Sequence, residues 1–197
     1  MSCAIIEDKG QQAKKHEIKH RWFSENNINL LNMPLPVGDY ILLTDTVEDV
    51  IKRKEKRGIP VKKMDFLGSY NKTVDTKKDI LEVAANICGP QHARFRDECI
   101  LAQNNGIQLY VLVENQDDIG NIEDLYSWEN PRLKRYEKIR FMHQIGKWKN
   151  IPEPKLPPVA GETLAKAMLT MENKYDVKFL FCTPEEAGER ILSLLTE

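Results

Sequence analysis

Residues 73–79 read Thr-Val-Asp-Thr-Lys-Lys-Asp and set an acid and a lysine, Asp75 and Lys77, two positions apart. They follow a short β-prone run, and in a strand the side chains at i and i+2 leave on the same face. Asp75 and Lys77 therefore share one side of a strand end. A carboxylate there can hold a divalent cation, and an ammonium beside it can steady a phosphate or an attacking water. Alone the triplet is a common pattern on solvated strands. Gly38-Asp39-Tyr40 strengthens it by placing a second acid at the head of another apolar run, 40–43. Two strands, each with an inward acid at one end, plus a lysine, are the minimum set for metal-assisted phosphodiester cleavage.

The elements that must carry these residues alternate along the chain. Residues 3–7 form a short apolar run ending in acids and read as a strand. Residues 13–26 read as a helix with Ile18, Trp22 and Phe23 at helical spacing. A second strand follows at 28–31 and, after a proline-rich break, a third at 39–43. Residues 74–77 make a fourth strand that leads into helices over 78–87 and 91–104, separated by Gly89-Pro90. The near-continuous apolar run 107–113 is the mark of a strand covered on both faces. A helix over 162–174, a strand over 177–182 and a final helix opened by Thr183-Pro184-Glu185-Glu186 close the chain. This order predicts an α/β fold, a mixed central sheet flanked by helices.

Two segments do not fit the alternation. Residues 45–72 read as an irregular, mobile basic insertion between two strands, and 117–158 as an irregular loop region. Between positions 52 and 63 the insertion carries Lys52, Arg53, Lys54, Lys56, Arg57, Lys62 and Lys63 against the single acid Glu55. The segment is either a solvated charged loop or a track for nucleic-acid phosphates, which need cations at this density.

The 197 residues are enough for one domain with a real core. The formal net charge is −1, so nucleic-acid binding would have to come from local patches. Cys3, Cys88, Cys99 and Cys182 form no Cys-x-x-Cys pair, and Cys88 and Cys182 sit in apolar sequence, which points to buried free thiols in a reducing cytoplasm. No signal peptide opens the chain and no apolar run is as long as a membrane span. One further motif, His16-Glu17-Ile18-Lys19-His20, is a literal H-E-x-x-H, the helical zinc-protease pattern. Lys14, Lys15, Lys19 and Arg21 surround it with positive charge and no third ligand is in a fitting context, so no zinc is expected there.

With these residues placed, the chain resembles the XPF-type nuclease domain, a branch of the PD-(D/E)XK superfamily. Ile5-Ile6-Glu7-Asp8 is similar to the family's opening strand that ends in an acid, and Leu35-Pro36-Val37-Gly38-Asp39-Tyr40 to its Gly-Asp-Tyr element. Asp75-Thr76-Lys77 stands where the family has Glu-Arg-Lys. His92-Ala93-Arg94-Phe95, residues 109–114 and residues 175–195 resemble the helix, core strand and closing elements that follow. The departures are the Asp-Thr-Lys itself, Asp79 standing nearer than the family's next aspartate, and Gly10-Gln11 in place of Arg-Glu. No helix-hairpin-helix segment follows, so the likeness is to short stand-alone members carried by phages or bacteria.

The resemblance implies a restriction-endonuclease-like fold and a metal-dependent DNA endonuclease, structure-selective in what it cuts. Asp39, Asp75 and the Thr76 carbonyl would hold Mg²⁺ or Mn²⁺. Lys77 would orient or deprotonate the attacking water, and Asp8 would support a second ion or the water network. Arg94 and the seven cations of residues 52–63 would contact DNA, branched or partly single-stranded, and a homodimer is left open. These residues should converge on one cleft at the sheet's edge. The rival readings are a weak or inactive nuclease-fold module that binds DNA or protein and, through H-E-x-x-H, a zinc protease.

Overall fold

The computed structural model describes residues 3–10 and 17–197. Six strands form one mixed sheet: β1 (Ala4–Asp8), β2 (Asn29–Met33), β3 (Tyr40–Leu42), β4 (Lys72–Lys77), β5 (Gln108–Glu114) and β6 (Lys178–Cys182), in the order β2-β1-β3-β4-β5-β6. β1 runs antiparallel to β3 and β3 to β4, while β1/β2, β4/β5 and β5/β6 are parallel. β3 and β4 are therefore the two central strands. They pair at Tyr40↔Val74 and then part.

Period-two alternation splits each strand between two cores. Ile6, Ile41, Val111 and Val113 face one layer, in which α2 (Asp45–Lys56), α3 (Ile80–Cys88), α4 (His92–Asn104) and α6 (Gly161–Tyr175) bury Val47, Val83, Phe95 and Met168. Ile5, Tyr40, Val74 and Leu112 face the other, closed by Phe23 of α1 (Glu17–Glu25) and Ile191 of α7 (Ala187–Thr196). β5 is covered on both faces, as its unbroken apolar run required. α1 and α7 approach so closely that a Cβ on Gly188 would stand 2.9 Å from the Trp22 ring.

Three local readings are corrected by the structure. Residues 45–72 are not an irregular excursion: they hold α2, whose Val47, Val50 and Ile51 fall at i, i+3 and i+4 and are buried, and whose first turn is capped by the Thr44 hydroxyl. The run of cations masked this apolar stripe. Residues 117–158 contain a 3-10 turn (Glu123–Ser127) and a helix, α5 (Leu133–Gln144), which buries none of its residues. Cys88 is exposed at the end of α3, whereas Cys182 is buried.

α1 is also turned from its expected face. Ile18 is 42% exposed, and Lys19 is buried in its place because its ammonium meets the Glu114 carboxylate. Residues 13–16 of the expected helix lie outside the described residues. Among the described residues no helix is long and apolar enough to cross a membrane.

Candidate active site

The parting of β3 and β4 builds the site. Asp39 N–H still donates to Val74 O (2.9 Å), but one step further β3 has ended. Thr76 N–H, which points to the place β3 would have filled, donates instead to Asp39 Oδ2 at 2.8 Å, and the Thr76 hydroxyl donates to the same oxygen at 2.8 Å. A carboxylate is thus locked where a strand's own carbonyl would otherwise stand.

Gly38 makes the turn into β3 with φ +70°, and a Cβ there would lie 2.1 Å from Thr73 Oγ1. No L side chain fits that corner. The Gly38 N–H donates to Glu98 Oε1 of α4 (2.9 Å), so an acid on the covering helix holds the loop that carries Asp39.

Asp75 and Lys77 leave β4 on one face, 4% and 8% exposed, with Lys77 Nζ 2.6 Å from Asp75 Oδ2. Apart from that ammonium, no hydrogen-bond donor reaches the buried Asp75 Oδ2 among the described residues. On its other side the ammonium lies 5.4 Å from the centre of the Phe95 ring, a cation–π contact that fixes its height above the sheet.

The buried Asp75 and the half-buried Asp39 and Glu98 crowd around this lysine, and for all three carboxyls burial outweighs the pull of its charge. Burial pushes the Asp75 carboxyl up to about 7; Lys77 pulls it down and Asp39 pushes it up again. Burial likewise raises Asp39, against the pull of Lys77 and the Thr76 hydrogen bonds. Glu98 is raised by burial and then by the charge of Asp75. For Lys77 burial works against the ammonium, but Asp75 and Asp39 outweigh it, and its pKa stands above that of an ordinary lysine. Lys77 is therefore a fixed cation at neutral pH.

All of these groups line one cavity of about 570 Å³, together with Asp8, Lys63 and Arg94. It opens on the α3 and α4 side, at the ends of the two central strands, and not at the edge of the sheet. The reason is topological: β1 and β2 lie beyond β3, so the chain's first acid-tipped strand is inside the sheet.

No protein-family model and no curated protein matches the chain. Among solved structures, XPF from Aeropyrum pernix matches with a TM-score of 0.51 over 98% of this chain and 63% of that one, at 14% identity. The same protein in complex with DNA matches with a TM-score of 0.51, at 13% identity and over the same shares. The chain shares the fold of XPF. It is restriction-endonuclease-like, a mixed sheet between helical layers, and spans 63% of the length of the A. pernix protein.

Within this XPF-type fold the residues singled out in the sequence are distributed as follows. Asp39, Asp75, Thr76, Lys77, Asp8 and Arg94 meet at the cavity. Asp8 uses both carboxylate oxygens on the main chain, accepting from Leu35 N–H (2.7 Å) and Gly10 N–H (3.0 Å), and so braces the loop that leads to Gly38. Asp79 caps α3, accepting from Glu82 N–H (2.7 Å). Glu114 pairs with Lys19 toward α1, away from the cavity.

Of the seven cations in 52–63, Lys63 reaches the cavity rim, whereas Lys54 is held by Asp65 at 2.7 Å and Lys52 by Glu48 at 2.8 Å. His20 Nε2 lies 2.7 Å from Glu7 Oε1; His16 and Gln11 lie outside the described residues. Glu98 was missed in the sequence. Its signal was its place one turn past Arg94 and one residue before the buried Cys99, at the margin of the stripe formed by Phe95, Cys99 and Ala102.

The donor set suits a hard divalent cation. Asp75 Oδ2 has no donor besides the Lys77 ammonium, Asp39 holds one oxygen in place on Thr76, and burial raises both carboxyls, so a doubly charged ion between them would be favoured. Among the described residues no three His, Cys, Asp or Glu side chains are already gathered around one point. The protein's share would then be two carboxylates and a main-chain carbonyl, the rest water.

Proposed function

We propose that this chain is a Mg²⁺-dependent DNA endonuclease, with Mn²⁺ as an alternative ion, acting in the cytoplasm on branched or partly single-stranded DNA. The observation that carries the reading is the trio of Asp39, Asp75 and Lys77 at the parting of the two central strands, on an XPF-type fold. Asp39, Asp75 and the Thr76 carbonyl would hold the ion. When bound, it supplies positive charge to the phosphate as the leaving oxygen departs.

The remaining roles belong to the chain's own side chains. Lys77, 2.6 Å from Asp75 Oδ2, donates to a phosphate oxygen or orients the attacking water. Phe95 and Asp75 hold its ammonium between them. Glu98 keeps the Gly38 loop, and with it Asp39, in register. Arg94 and Lys63 at the rim bind flanking phosphates.

A second reading, a nuclease-fold module that binds DNA or protein without cutting it, is favoured by the lack of a ready three-ligand cluster among the described residues. One experiment separates the two. Wild-type protein and Asp39→Asn are incubated with flap, fork, four-way and single-stranded DNA in Mg²⁺ and in chelator. Cleavage by the wild type alone, and only with Mg²⁺, is the expected result. Binding without cleavage in every condition would select the second reading.

A further inference from the structure

α5 is the least explained element of the chain. Residues 132–149 hold Arg132, Lys134, Arg135, Lys138, Arg140, Lys147 and Lys149 against one acid, Glu137, in a chain whose net charge is −1. The helix buries no residue. Among the described residues only Arg140 of this set has an ion-pair partner, Glu153 at 3.8 Å. A helix that contributes nothing to the core and concentrates unneutralised cations is held in the chain for something outside it.

Its near face is not only charged. Arg132, Arg135, Tyr136 and Ile139 fall at i, i+3, i+4 and i+7 and line one wall of a groove. Leu81 and Ala84 of α3 and Pro90 just beyond it form the facing wall. The exposed Leu156 borders the same groove. Cations stand on the rim of an apolar floor that includes one aromatic ring.

α3 connects this groove to the candidate active site. Its Glu82 and Asn86 line the catalytic cavity, and its Leu81, Ala84 and Ala85 line the groove. The two sites are thus separated by one helix, about 10–12 Å across, and a few nucleotides of extended strand cover that distance.

We propose that the α5–α3 groove binds a single-stranded segment of nucleic acid flanking the cut, its phosphates on Arg132 and Arg135 and a base against Tyr136. The chemistry selects a single strand. A duplex presents its phosphates and hides its base faces in the stack, whereas an unpaired strand offers both a charged backbone and apolar rings. The inference rests on the nuclease reading for where the strand leads, and not for the groove itself.

The test measures binding of a fluorescein-labelled oligothymidylate and of a blunt duplex in chelator, across a salt series. The proteins are wild type, Arg132→Glu/Arg135→Glu and Tyr136→Ala. Arg132 and Arg135 are exposed and Tyr136 is half-buried, so the double reversal should leave the melting temperature unchanged and Tyr136→Ala should lower it only slightly. The double reversal should weaken single-strand binding at least about tenfold and flatten the log–log salt slope by about 1.4 or more, the share of two phosphate contacts. Tyr136→Ala should weaken it about fivefold or more and leave the duplex as it was.

Single-strand affinity unchanged in both variants overturns the proposal. So do equal losses on strand and duplex, which would make α5 a plain electrostatic patch. Cleavage of the DNA panel in Mg²⁺ reads the nuclease assignment separately. A protein that cuts but is indifferent to the α5 variants loses only this inference, and one that cuts nothing yet holds oligothymidylate through α5 keeps it.

Discussion

Between the sheet and α3 and α4 lie Asp39, Asp75, Glu98 and Lys77; between the sheet and α1 and α7 lie Glu7, Glu114, Lys19, His20 and Tyr40. The residue types are nearly the same, and each cluster mixes buried and half-buried groups. In the second, each acid has its own donor. Glu7 accepts from the Tyr40 hydroxyl at 2.6 Å and meets His20, and Glu114 takes Lys19. The acids press on Tyr40 in return: its hydroxyl pKa is raised by burial and then by Glu7. In the first cluster Asp39, Asp75 and Glu98 crowd around Lys77, Asp75 Oδ2 has no donor besides that ammonium, and a cavity opens onto the group. A buried charge that is fully paired fixes packing, whereas one left short of counter-charge beside a cavity is a place for a ligand.

The strongest way to break this contrast is to remove one charge from each cluster. Asp75→Asn should abolish cleavage and calorimetric Mg²⁺ binding together, yet raise the melting temperature of the metal-free protein at alkaline pH, since a carboxylate whose ionisation burial opposes is gone. Lys19→Met should do the reverse. It strands Glu114 and should cost about 3–5 kcal/mol in denaturant unfolding, with most of it recovered in Lys19→Met/Glu114→Leu. A Lys19→Met protein as stable as wild type would erase the distinction between the clusters.

A pH titration sharpens it. Asp75 is raised from 3.8 to about 7 in the folded protein, so the folded state holds its proton more tightly than the unfolded chain. That contribution to stability is complete below about pH 4 and is lost as pH rises through about 7. Metal-free wild type should therefore lose melting temperature across this window relative to Asp75→Asn. Parallel curves would contradict the raised Asp75 carboxyl. The smallest effect is expected on α2, where reversing the exposed Lys56 and Arg57 should weaken DNA binding alike across sequences and flatten the salt slope by about 1.8. Lys54→Ala should instead lower stability, because Lys54 ties α2 to Asp65.

The sequence carried the sheet's strands because apolar runs of strand length between turn residues have few other uses. It carried Asp39, Asp75 and Lys77 because strand alternation alone puts 75 and 77 on one face. It did not carry α2, where cations outnumber the apolar residues that set the helix face and hide their spacing. Nor did it carry Lys19, since a lysine at a core position is legible only once Glu114, far along the chain, is known to stand opposite. Glu98 escaped for the same reason: its partner, the Gly38 N–H, is exposed by a turn that tertiary contacts make. The placement of the cleft amid the strands depended on the strand order, which periodicity does not encode.

The central claim is that Lys77 is a fixed cation serving the reaction and not a solvated strand lysine. The direct measurement is the single-turnover cleavage rate of Lys77→Ala in saturating Mg²⁺, beside its DNA affinity in chelator. The account predicts a rate lower by about 10²–10³-fold, the cost of removing one positioned donor, with affinity essentially that of wild type. A Lys77→Ala protein that cuts at the wild-type rate would contradict it.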